Sequence, residues 1–78
     1  MNAYQTEILT AAVEAREREV TEYQVNIDNY VLAIEHIGDD PDLQDFKNHL
    51  QSLLASSILE QKKAQVLLTV MQAQLAGA

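Results

Sequence analysis

Cysteine is absent from this chain of 78 residues, which removes disulfides, thiolate metal centres and thiol nucleophiles together. With no redox argument to the contrary, the reducing cytoplasm is the expected compartment. Proline and glycine are scarce, one and two residues respectively, so little in the chain interrupts a helix. Five Lys and Arg stand against twelve Asp and Glu, a formal charge of −7. A chain so poor in cations has no basic stripe to neutralise phosphates, and direct binding to nucleic acid or to an anionic membrane surface is not expected. Long apolar runs are missing too: residues 66–71, the most apolar stretch, fall far short of the ~20 residues a spanning helix needs. The first residues show no basic segment followed by an apolar run, so a secretory leader is not expected.

The lone proline and one of the two glycines fall together in Gly38-Asp39-Asp40-Pro41-Asp42, almost at the midpoint. On either side the apolar residues recur at helical spacing. The first half carries Leu9, Val13, Val20, Tyr23, Ile27, Tyr30, Ile34 and Ile37, alternating steps of three and four once Arg16 is counted as an interruption. Such a repeat keeps one stripe facing a partner helix. Asn2 with Gln5 suits a capping box, and Gly38 can take the left-handed conformation that closes a helix, so the spacing predicts a helix over about 3–37. After a turn over 38–41, Asp40 suits an N-cap and Pro41 a first helical position, while Asp42 and Asp45 complement the positive end of the dipole. The second helix is expected over about 41–76, before Gly77, with a seam of Leu43, Phe46, Leu50, Leu53, Ser57, Glu60, Ala64, Leu67 and Met71. About 35 residues make each helix roughly 50 Å long.

The expected fold is therefore all-α, a single antiparallel two-helix hairpin resembling a coiled coil. A tight turn near residue 40 pairs positions whose numbers sum to about 80, setting Ile37 beside Leu43, Ile34 beside Phe46, Tyr30 beside Leu50 and Ile27 beside Leu53. On that register Arg16 and Glu60, the charged intruders of the two seams, fall one turn apart and are expected to form an ion pair that sets register more than stability. Charge favours the pairing: residues 1–45 hold eleven acids against two Arg, net −9, and residues 46–78 hold one acid against three Lys, net +2.

The seams leave apolar residues over. Leu54, Ile58, Leu68 and Leu75 form an adjoining stripe on the second helix, with Leu59, Val66 and Val70 further round, and the first helix adds Val25, Val31 and Leu32. Two helices cannot enclose a core, so a second copy is expected to cover this surface in an antiparallel four-helix bundle, a dimer, with another protein as the other candidate. The expected interface residues are Leu54, Ile58, Val66, Leu68, Leu75, Val25 and Leu32.

Motifs for chemistry are wanting. The acidic turn resembles a calcium loop only in charge: counted from Asp40, the sixth and twelfth positions hold Asp45 and Gln51, where an EF-hand needs Gly and Glu. His36 and His49 lack further ligands at metal spacing, and the Glu-x-x-His pairs of di-iron bundles are absent. No nucleophile-base set or phosphate loop can be assembled, so no enzyme, cofactor or metal is expected. Glu7, Glu14, Asp28 and Glu35 recur at multiples of seven and make an acidic face. Seven residues advance about 10.5 Å, against one charge per ~1.7 Å in duplex DNA, so the face is too sparse for close mimicry and reads as solvated. These features predict a non-enzymatic protein–protein interaction module that self-associates and serves as a small accessory, adaptor or assembly factor. The alternative is a small acidic inhibitor that binds and blocks a larger protein, nucleic-acid-binding proteins among the candidates. A single long rod is disfavoured by Gly38 and Pro41.

Overall fold

A computed structural model describes residues 1–77, which form α1 (Ala3–Ile37), a short 3₁₀ turn (Pro41–Leu43) and α2 (Gln44–Ala76). The start of α1 is closed by a reciprocal capping box: the Gln5 N–H donates to Asn2 Oδ1 at 2.8 Å, and the Asn2 N–H donates to Gln5 Oε1 at 3.0 Å. Two of the N–H and side-chain demands of a helix start are met locally in this way. At the other end the Gly38 N–H donates to the Ile34 carbonyl at 3.2 Å, with φ +54° and ψ −125°. That φ is positive, but the ψ lies outside the left-handed helical well the sequence suggested. Glycine alone reaches this region without a Cβ penalty.

The turn is built as the acidic residues and proline suggest, with one correction. Asp40 caps the 3₁₀ turn, its carboxylate accepting the Asp42 N–H at 3.0 Å, and Pro41 occupies the first position. The α-helix begins only at Gln44 rather than at 41, because Leu43 sits at φ −114°, ψ 9°, off the helical dihedrals. Two side chains from the start of α2 then reach back to the end of α1. Lys47 Nζ donates to the Gly38 carbonyl at 2.9 Å, and Gln44 Nε2 donates to the carbonyls of Asp40 at 2.7 Å and Gly38 at 3.3 Å. The Asp40 carbonyl also accepts the Leu43 N–H at 3.2 Å, whereas that of Gly38 relies on these side chains, and the ammonium complements the negative end of the α1 dipole.

Folded back on itself, the chain is a rod of 60 × 14 × 14 Å whose core is one strip between two helices. On α1 the strip is the stripe read from the sequence: Val13 and Ile37 are buried, and Leu9, Arg16, Val20, Tyr23, Ile27, Tyr30 and Ile34 are half-buried. On α2 it is not. Leu50, Ala64 and Leu68 are buried, and Lys47, Leu54, Ser57, Gln61, Met71 and Leu75 are half-buried between them. These nine positions again step by fours and threes. They share Leu50, Ser57, Ala64 and Met71 with the expected seam but replace Phe46, Leu53, Glu60 and Leu67 by the residue that follows each. Leu68 is 5% exposed where its neighbour Leu67 is 48% exposed, and Phe46 and Leu43 are exposed as well. Leu53 and Glu60 stay half-buried at the seam's edge.

Hydrogen bonding explains the shift of one residue, about 100° around the helix. Lys47 lays its stem in the seam because its ammonium reaches Gly38. Gln61 enters because its amide donates to the Val20 carbonyl at 3.1 Å and to Gln24 Oε1 at 2.9 Å. An apolar residue at 46 or an acid at 60 has no counterpart for either bond. The register moves too: cross-helix bonds join 61 with 20, 61 with 24 and 72 with 17, pairs that total 81, 85 and 89. Their mean lies about one helical turn beyond the register of a tight turn at residue 40.

The expected ion pair does not form for the same reason. With the register moved on by a turn, Arg16 and Glu60 are about two turns apart along the rod. Arg16 instead pairs with Glu19, and Glu60 with Lys63 at 2.9 Å, each within its own helix at a separation of three.

Candidate functional site

No three His, Asp or Glu side chains gather to hold a metal ion among the described residues, and His36 and His49 are both exposed. In the acidic turn Asp40 caps the 3₁₀ turn. No helix is long and apolar enough to cross a membrane among the described residues. What the rod offers is surface, and its two flanks differ in kind.

One flank is polar and acidic. Glu17 and Gln24 of α1 lie beside Gln61, Gln65 and Gln72 of α2, joined by Gln61 to Gln24 and by Gln72 Nε2 to Glu17 Oε1 at 3.5 Å. The acidic row runs along this edge of α1, where Gln24 Nε2 donates to Asp28 Oδ1 at 2.9 Å. Glu7, Glu14 and Glu35 stand at multiples of seven from Asp28, and all four are exposed. With Glu17 they make five carboxylates on one side, against Lys62 across the seam and Arg18 beside Glu14 and Glu17.

The opposite flank is apolar. At its open end Met1, Gln5, Ile8, Leu9 and Ala12 of α1 face Gln74 of α2 across a groove of about 470 Å³. Steps of seven from Ala12 reach Glu19, Asn26 and Ala33, and steps of seven back from Gln74 reach Leu67, Glu60, Leu53 and Phe46, so these residues share the flank. Val70 follows Leu67 by three on the same side. Phe46, Leu67 and Val70 are 51%, 48% and 50% exposed. Of the carboxylates here, Glu19 and Glu60 are bound by Arg16 and Lys63, and Glu22, two steps of seven from Ile8, stands toward the back of α1.

The surface residues expected from sequence are therefore split. Leu68 is buried and Leu54 and Leu75 are half-buried in the seam, where they are not available to a partner. Ile58, Val66, Val25 and Leu32 are exposed, but on the acidic flank or the outward faces rather than in one stripe. Val25 lines a recess on the back of α1 with Glu14, Glu17, Arg18, Thr21, Glu22 and Asn26. The row Phe46, Leu53, Leu67 was assigned to the seam. Its seven-residue spacing was visible, but the choice between it and the row one residue on depends on Lys47 and Gln61. Tyr4 is exposed near the start of α1.

Comparison with known protein families, with curated proteins and with solved structures finds no match to this chain.

Proposed function

We propose that this protein is a non-enzymatic interaction module that associates with itself, as an antiparallel four-helix bundle, and acts as a small accessory, adaptor or assembly factor. The observation that carries the reading is the apolar surface left on a two-helix rod. Phe46, Leu67 and Val70 on one side of α2, with Met1 and Ile8 at the open end of the same flank, are each about half exposed. Leaving such surface wet costs about 25 cal/mol per Å², and two helices have no further layer with which to cover it. A second hairpin supplies that layer by isologous contact. Light scattering behind gel filtration, over a hundredfold range of concentration, tests this directly. Twice the chain mass is expected; the single-chain mass throughout would overturn the proposal.

The acidic flank supports a second reading, a small inhibitor that blocks a basic surface on a larger protein. Its five carboxylates, Glu7, Glu14, Glu17, Asp28 and Glu35, would steer such a partner. Binding to a basic target that weakens steeply as salt rises is the expected signature. Absence of salt-sensitive binding to any basic protein would remove this reading.

A further inference from the structure

We infer that the copy-to-copy contact is made by one flank only, the apolar one carrying Phe46, Leu53, Leu67 and Val70 beside Ala12 and Ala33, and that the acidic flank stays in solvent. The inference rests on the self-association proposed above and says which surface performs it. Charge decides the occupant. Each chain carries −7, so two copies repel, and a stable contact must fall where uncompensated charge is least. Docking through the acidic flank would set Glu7, Glu14, Glu17, Asp28 and Glu35 of one copy against the same five of another. Docking through the apolar flank brings together two carboxylates already held by cations, Glu19 by Arg16 and Glu60 by Lys63, and leaves Glu22 alone toward the back of α1, one such group against five. A basic protein would be drawn to the other side.

Shape agrees with charge. Along the middle of the apolar flank the large apolar side chains, Phe46, Leu53, Leu67 and Val70, belong to α2, and α1 contributes Ala12, Glu19, Asn26 and Ala33, with Met1 and Ile8 beside the groove at the open end. A ridge thus lies beside a trough on one surface. Two copies related by a two-fold axis along the rod set the ridge of each in the trough of the other, and every neighbouring helix pair is then antiparallel. The same geometry sets the more acidic helix over the less acidic one. From the sequence, α1 has seven acids against two Arg, net −5, and α2 has two acids against three Lys, net +1.

Because the chain has no cysteine, single thiols report without background on the apolar flank, at residue 67, and on the outward face of α2, at residue 66. Alkylation of Leu67→Cys and Val66→Cys is compared from dilute to concentrated protein. These neighbours are both exposed in the hairpin and point about 100° apart, so neither change threatens the fold. At least tenfold slowing at residue 67 with none at residue 66, together with a dimer mass that strengthens as salt screens the repulsion, is the expected result. A dimer mass without slowing at 67, or with equal slowing at 66, overturns the choice of flank while self-association stands. A single-chain mass with no protection at either site overturns self-association itself.

Discussion

The two helices are close in length, 35 and 33 residues, and bury themselves against each other through one strip, yet their surfaces are organised differently. On α1 the apolar residues of the strip are flanked by Glu, Asp and Gln on one side and by Gln5, Ala12, Glu19, Asn26 and Ala33 on the other, with no second continuous apolar row beside it, so one rotation buries them best. On α2 two apolar rows lie side by side, one through Phe46, Leu53 and Leu67 and one through Leu54, Leu68 and Leu75. Hydrophobicity alone does not separate them. The row that enters the seam is the one interleaved with Lys47 and Gln61, polar residues that have a partner on α1. A polar contact worth little in free energy thus chooses between two nearly equal apolar faces, and the face not chosen becomes the surface the protein presents.

The sharpest way to break this comparison is to place the same charge on each row. Leu68→Glu buries an unpaired carboxylate at a position 5% exposed and should abolish the cooperative helical transition followed by circular dichroism. Leu67→Glu, one residue away, should keep the helical spectrum. Equal effects of the two would mean that the rows are not distinguished as described. Truncation gives a milder version: Leu68→Ala should cost about 2 to 5 kcal/mol by denaturant unfolding, whereas Leu67→Ala should cost far less at concentrations where chains are apart.

The turn provides the next effect in size. Gly38→Ala should destabilise the hairpin by about 1 to 3 kcal/mol through its positive φ. The added methyl would lie 3.8 Å from the nearest atom, the Glu35 carbonyl oxygen, so the loss is one of backbone conformation rather than of space. Lys47→Met keeps the apolar stem but removes the bond to Gly38, and should lower stability by about 0.5 to 1.5 kcal/mol. Phe46→Ala at the neighbouring position should lower it less when chains are apart. If Phe46→Ala proves the more damaging, the assignment of 47 rather than 46 to the seam is wrong.

Smallest of all is Arg16→Leu. Arg16 pairs only with Glu19 in its own turn, at about a third exposure for both side chains, and pairs of this kind are worth about 0.3 to 0.5 kcal/mol. An apolar residue there adds a seam contact to Leu68's neighbourhood and should leave the melting temperature unchanged or higher. A collapse would show that Arg16 has a cross-helix role.

Much of the architecture was legible in the residues themselves. The capping box at Asn2 and Gln5, the turn at Gly38 to Pro41 and the α1 stripe each rest on interactions between residues close in sequence, or on a pattern with one solution. The α2 stripe was not legible, since Leu67 and Leu68 are alike in every local property. Nor was the register, because a 3₁₀ turn and the reach of Lys47 and Gln61 to the other helix set it. The pairing of Arg16 with Glu60 failed with the register, and the expected partner surface at Leu54, Leu68 and Leu75 failed with the stripe.

Local chemistry along the chain thus determined two helices, their ends, and one side of their contact, since capping, backbone conformation and periodicity need no knowledge of what lies across the seam. Only the tertiary structure decided which row of α2 turns inward, and with it which apolar residues remain outside. That choice depends on hydrogen bonds between residues 9 and 41 positions apart, and a bond of that kind exists only once the helices have met.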